Sequence, residues 1–122
     1  MSTELVKLIP VLESADIARD VAWYKEKAGF ELSFSNEKMY AGLNRDDLEI
    51  HLQWHAGTEE DPLSGGALLR MDVRNIKPLF EEFKRRGTVK EIDFRENTPW
   101  GTNEFAITDL NSNVIIISEG IE

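Results

Sequence analysis

The sequence predicts an α+β fold in which a βαβββ module is used twice. Three observations predict it. Apolar spacing switches between strand period and helix period in the same order in each half. Two helix-capping residues, Asp16 and Asn75, lie one module apart, and so do two polar turns, Asp46-Asp47 and Ser112-Asn113. Neither half is long enough to bury a helix face alone, so the two must share a core. We read residues 1–122 as one domain, with modules over about 4–55 and 67–119.

The elements follow in order. Leu5 to Leu12 reads as a strand. Asp16 caps a helix in which Ile17, Val21, Tyr24 and Ala28 recur at helical spacing, and Gly29 stops it. Strands near Phe30–Ser35, Met39–Leu43 and Leu48–His55 complete the module, with a turn at Asn44–Asp47 before the last. The polar loop His55–Gly66 is the joint between halves. A strand over Ala67–Val73 then leads to a helix capped by Asn75, carrying Ile76, Leu79, Phe80 and Phe83 on its inner face and ended by Gly87. Strands near Val89–Phe94, Glu104–Thr108 and Val114–Ser118 close the chain, the last two joined by a turn at Asp109–Asn113.

Composition narrows the function. The sequence is 41% hydrophobic and 30% charged, an ordinary globular balance. It contains no apolar run of about 18 residues, so no membrane span is expected. The opening MSTELVKLIPVLES lacks a basic start followed by an apolar run, so no secretory leader is expected. Cysteine is absent, which excludes disulfides, thiolate metal sites and cysteine nucleophiles and agrees with a reducing cytoplasm. A formal charge of -9 repels phosphate backbones, so no nucleic-acid partner is expected, and it attracts cationic ligands. Neither a glycine-rich phosphate loop nor a nucleophile elbow occurs.

Two places carry candidate site residues. In Leu48–His55, alternation puts Leu48, Ile50, Leu52 and Trp54 on one face and Glu49, His51, Gln53 and His55 on the other. That polar row suits a crevice wall; the Glu-x-His-x-x-x-His spacing also suits a cation, but no partner outside the strand stands out. Trp100 lies in a Pro-Trp-Gly loop outside any alternating strand, so it reads as a stacking platform or a lid. On Ala67–Val73, Leu68, Arg70 and Asp72 share one face.

The run Ile9-Pro10-Val11-Leu12-Glu13-Ser14-Ala15-Asp16-Ile17, followed by Trp23-Tyr24 and Gly29-Phe30, resembles the opening of bleomycin-resistance proteins. So does Tyr40-Ala41-Gly42 leading into Arg45-Asp46-Asp47. The most specific match is Pro99-Trp100-Gly101-Thr102-Asn103-Glu104-Phe105-Ala106-Ile107-Thr108-Asp109, closing with Asn113. That family is a branch of the glyoxalase/bleomycin-resistance/extradiol dioxygenase (vicinal oxygen chelate) superfamily, and the resemblance runs from about Ile9 to Glu119.

The resemblance implies a curved eight-stranded sheet pair with helices outside. It also implies a homodimer that exchanges N-terminal strands, with ligand crevices between subunits. Pro10 fits the hinge of that exchange, although a proline on an edge strand costs nothing either. Superfamily enzymes hold a divalent metal on His and Glu side chains; three of the four matching positions here are Ile9, Leu68 and Ile116, which supply no donor. The resemblance makes Trp100, Phe34, Tyr40 and Gln53 ligand contacts, with Glu49, His51 and Arg70 beside them. Arg70 departs from the aromatic residues that better-known resistance proteins carry on that stretch, and it disfavours a cationic ligand unless Asp72 or Glu49 neutralises it. The expectation is a non-enzymatic, metal-free, cofactor-free cytoplasmic protein that sequesters a flat, partly cationic antibiotic-like molecule. The alternative is a divergent metal-dependent enzyme of glyoxalase or dioxygenase type.

Overall fold

A computed structural model describes residues 2–121. Strand β1 (Val11–Ser14) is followed by helix α1 (Ile17–Ala28) and strands β2 (Glu31–Asn36), β3 (Tyr40–Arg45) and β4 (Leu48–Trp54). They form a sheet in the order β1-β4-β3-β2, with β1 parallel to β4 and the other neighbours antiparallel. Helix α1 begins where the Asp16 carboxylate accepts the Arg19 N–H at 3.1 Å. It ends where Gly29 turns left-handed (φ 72°), a conformation that a residue without Cβ adopts freely. Ile17, Tyr24 and Ala28 are buried against the sheet.

The second half holds β5 (Leu68–Asp72), α2 (Ile76–Arg85), β6 (Thr102–Thr108) and β7 (Val114–Gly120), in a sheet ordered β5-β7-β6. The pair of sheets therefore holds seven strands, and the expected strand near Val89–Phe94 is absent. Its centre, Glu91–Asp93, is a 3₁₀ turn in which the Asp93 carboxylate accepts the Lys90 N–H at 2.8 Å. A side chain that bonds its own backbone competes with the sheet ladder, and only the single bridge Arg95–Glu104 survives. Val89 still buries, and Phe94 packs on Phe80 with ring centroids 4.9 Å apart. The apolar pattern that predicts a strand is thus met by two anchors.

Two further expectations need correction. The first strand is short: residues 5–10 form no ladder, and Leu5 and Leu8 are 95% and 98% exposed. Among these residues only Pro10 joins the sheet through its backbone, its carbonyl accepting the His51 N–H at 2.9 Å. Asn75 precedes α2 in a left-handed conformation (φ 61°), yet its side chain does not cap. Glu119 on β7 does so instead, accepting the Asn75 N–H at 2.6 Å. Pro78 is tolerated because it lies in the first turn, where no intrahelical N–H is required.

Buried residues of both modules form one cluster, with Tyr24 and Phe30 from the first half and Phe80, Phe83 and Phe105 from the second. A polar seam also joins them. Asp109 accepts the Tyr24 hydroxyl at 2.6 Å and the Asn113 amide at 2.9 Å. Asp20 accepts the Ser14 hydroxyl at 2.5 Å and the Asn111 amide at 2.7 Å. The polar turn that ends in Asn113 is therefore bonded into α1 and β1 of the other module.

Candidate functional site

Both helices cover one face of their sheets, and the opposite faces are open. On the first sheet the open face is built by register. Phe34, Gly42 and His51 stand side by side across β2, β3 and β4, and Tyr40 pairs with Gln53. Leu32 pairs with Leu43 but Phe34 pairs with Gly42, so the bulge at Ser33 turns Phe34 onto the open face. The Ser33 hydroxyl holds that bulge by donating to the Gly42 carbonyl at 2.9 Å. Gly42 is required here for space: a Cβ would stand 2.1 Å from a ring carbon of Phe34.

The result is an aromatic and polar cluster. The Phe34 ring, 46% exposed as a residue, stacks beside Tyr40 with centroids 6.2 Å apart. It also meets His51 edge-on at 5.3 Å. The Tyr40 hydroxyl lies 2.7 Å from His51 Nδ1, and His51 Nε2 lies 2.6 Å from Glu49. Lys7 from the N-terminal arm reaches Glu49 at 2.6 Å. Lys7 and then His51 hold the Glu49 carboxyl below the usual carboxylate range.

On the second sheet the open face carries Arg70 beside Ile116 and Ala106, and Asp72 beside Ser118 and Glu104. Glu104 is only 4% exposed and gathers four neighbours. The Thr102 hydroxyl donates to it at 3.1 Å, Trp100 Nε1 lies 3.5 Å away, and Arg70 and Arg95 approach at 3.5 and 3.8 Å. Arg70 also donates to Ser118 at 2.7 Å, which donates on to Asp72 at 2.9 Å. Trp100 itself is 55% exposed, with the Arg95 guanidinium 5.1 Å above its ring.

Six of the seven residues expected from the sequence fall into two groups. Phe34, Tyr40, Glu49 and His51 are one cluster; Arg70 and Trp100 meet through Glu104 on the other sheet. Gln53, the cross-strand neighbour of Tyr40, makes no side-chain hydrogen bond within that cluster and lines a hollow of about 300 Å³ with Val11, Glu13 and His55. A hollow of about 380 Å³ beneath the N-terminal arm is lined by both Glu49 and Arg70. A further hollow of about 900 Å³, walled by Arg45, Leu48, Met71 and Glu82, touches none of the seven. His55 turns away into the loop, 2.8 Å from Asp61, so the two histidines do not converge. Leu68 and Ile116 lie on the open face of the second sheet.

Glu104, Arg95 and Lys7 were not singled out from the sequence. Alternation with Phe105 and Ile107 was enough to put Glu104 on the face of Arg70. Arg95 and Lys7 lie outside the strands, and no pattern marks them.

No protein-family model matches the chain. Among curated proteins it is similar to the bleomycin resistance protein of Geobacillus stearothermophilus and that of Staphylococcus aureus. Each is 25% identical over 132 residues, covering 97% of this chain and 99% of the relative. Among solved structures it superposes on the bleomycin-binding protein of bleomycin-producing Streptomyces verticillus, complexed with copper(II)-bleomycin. The TM-score is 0.77 at 22% identity, over 98% of this chain and 99% of that one. The bleomycin resistance determinant encoded on transposon Tn5 gives 0.78 at 20% identity, over 95% and 98%. A glyoxalase/bleomycin resistance protein/dioxygenase from Nocardioides gives 0.73 at 16% identity, over 100% and 87%.

Proposed function

On the premise that this chain is a homologue of the bleomycin resistance proteins and has the fold of the glyoxalase/bleomycin-resistance/dioxygenase superfamily, we propose that it sequesters a flat, partly cationic molecule of the bleomycin type. Binding is stoichiometric, with no turnover. The observation that carries the reading is aromatic surface left open on a strand face and on the turn before β6, where neighbouring polar groups are already paired. Phe34, Tyr40 and His51 form one such surface and Trp100 another. Half-exposed rings with satisfied neighbours have no packing role to fill within the chain, and a planar ligand covers them. Glu49, Gln53 and Arg70 are the polar contacts beside those rings.

The groups present do not fit a protein-held cation. Leu68 and Ile116 supply hydrocarbon on the open face, while Glu49 and His51 are engaged with each other, Lys7 and Tyr40. A metal-dependent enzyme would have to break that cluster to form its site. Arg70, which would repel a cationic tail, is balanced by Glu104 and, through Ser118, by Asp72.

The two aromatic groups lie on different sheets of one chain, and the arm carrying Leu5 and Leu8 has nothing in its own chain to bury against. Both features support a homodimer that exchanges arms at Pro10, bringing the first-sheet face of one copy against the second-sheet face of the other. The cysteine-free sequence suits a cytoplasmic setting.

Titration with bleomycin is the test. Quenching of tryptophan fluorescence at one drug per subunit, with the drug recovered chemically unaltered, is the expected result. Trp100→Ala weakens binding by about 1–3 kcal/mol, the scale of one lost stacking surface. Unchanged affinity in that variant removes Trp100 from the site, and a modified drug makes the protein an enzyme.

A further inference from the structure

With the imidazole of His51 neutral, the cluster on the first sheet has one hydrogen-bond direction. An ionised carboxylate has only acceptors, so the 2.6 Å contact between Glu49 and His51 Nε2 needs the imidazole proton on Nε2. In the neutral ring that leaves Nδ1 as a lone pair. The partner of Nδ1 is the Tyr40 hydroxyl at 2.7 Å, which must then donate its only proton to the ring. What remains on the phenol oxygen is acceptor capacity, and among the described residues no other group donates to it. The phenol ring lies within 17° of parallel to Phe34, so the hydroxyl belongs to the same aromatic surface, in a part-buried contact with His51.

We propose that Glu49 and His51 act as positioning residues that make Tyr40 a one-way hydrogen-bond acceptor, so that the crevice selects planar ligands with an N–H or O–H donor at the ring edge over equally flat ligands without one. The assignment rests on the sequestration reading and names the chemistry that reading leaves open. A tyrosine with a free hydroxyl turns to suit a donor or an acceptor. Tied to His51, it suits only a donor, because a ligand acceptor would face lone pairs with no proton between them. Lys7 adds to the direction by keeping Glu49 ionised and in place.

Two flat cationic dyes separate the possibilities. Both are used as their 10-methylacridinium salts, which removes the ring N–H: proflavine then carries two amino groups, and acridine orange has the same ring system with both amines dimethylated and no donor. Wild-type protein should bind proflavine more tightly, by roughly three- to tenfold for one net hydrogen bond. Tyr40→Phe should erase the difference between the two dyes, because the acceptor is removed. Glu49→Leu, which frees the imidazole tautomer, should shrink the difference. Equal affinities in the wild type, or a preference that persists in Tyr40→Phe, overturn the assignment; if both dyes still respond to Trp100→Ala, the sequestration reading stands without it. Binding of neither dye removes the crevice and the assignment together.

A ligand-free readout is also decisive. Imidazole ¹⁵N shifts should show His51 protonated on Nε2 with a bare Nδ1. His55, whose Nδ1 faces Asp61 at 2.8 Å, should show the opposite tautomer and so serve as the internal standard. A proton on Nδ1 of His51 overturns the proposal whatever the dyes do.

Discussion

Asp109 is buried, and its two oxygens accept the Tyr24 hydroxyl, the Asn113 amide and the backbone N–H groups of Asn111 and Asn113. A buried carboxylate is tolerable only with such company, and each donor left unpaired costs its desolvation. Burial and then Asp109 push the Tyr24 phenol far above its ordinary value, so the proton stays on the oxygen. Tyr24→Phe should lower stability by about 1–2 kcal/mol in urea unfolding, because the buried Asp109 carboxylate loses one of its donors. Asp109→Ala, which orphans several donors, should cost about 2–4 kcal/mol. A different residue-scale effect belongs to Gly42. Gly42→Ala meets the Phe34 ring, a side chain that can swing aside, so the fold should survive with a modest stability loss. Ligand affinity should fall more than stability does, and calorimetric binding beside thermal unfolding separates the two.

Among the elements, α2 is tied to the first module by charge. The Arg45 guanidinium donates twice to Glu82, at 2.8 and 2.7 Å, and Arg86 donates to the same carboxylate at 2.8 Å. Arg45 also donates to the Ala28 carbonyl and Arg86 to that of Glu26, so the pair clasps the end of α1. Arg45 first, then Arg86, hold the Glu82 carboxyl at about 2, against an ordinary 4.5. A carboxyl depressed on folding contributes its full stabilisation above the unfolded value and loses it as pH falls. The wild type should therefore lose stability as pH drops from about 4.5 toward 2, and Glu82→Gln should flatten that part of the curve. Denaturant midpoints measured at closely spaced pH values check it. The joint between halves has its own constraint. Glu13 accepts from the Gly65 and Gly66 N–H groups, and a Cβ on Gly66 would lie 2.0 Å from the Ser112 carbonyl oxygen. Backbone cannot swing aside as a phenyl ring does, so Gly66→Ala should unfold the seam, with loss of soluble expression as the readout.

For the molecule as a whole, charge and shape act on different parts of binding. On the proposed sequestration reading, a formal charge of -9 speeds the approach of a cationic ligand, while the open aromatic faces set how long it stays. Stopped-flow association with bleomycin should slow several-fold between about 10 mM and 150 mM salt, as the Debye length shortens from roughly 30 to 8 Å. The dissociation rate should change much less. A salt-independent association rate would show that the acidic surface serves solubility alone.

Periodicity was enough to recover both helices, seven of the eight expected strands and the inner face of β4, because these depend on residues near one another in the chain. It also placed Glu49 and His51 on one face and marked Trp100 as an outlier. It failed where a distant partner or a local competitor decides the outcome. Glu119 caps α2 in place of Asn75 because β7 brings a carboxylate to that helix end. The Asp93 carboxylate accepts the Lys90 backbone N–H three residues upstream, and the eighth strand is lost. Glu104 became the centre of its sheet face only when β6, the Arg95 bridge and the Trp100 turn were brought together in space. Sequence determined which side chains each strand turns outward, since alternation is a property of the extended backbone. Tertiary structure alone decided which of those side chains meet, because register, bulges and loop closure are settled by the packing of the whole chain.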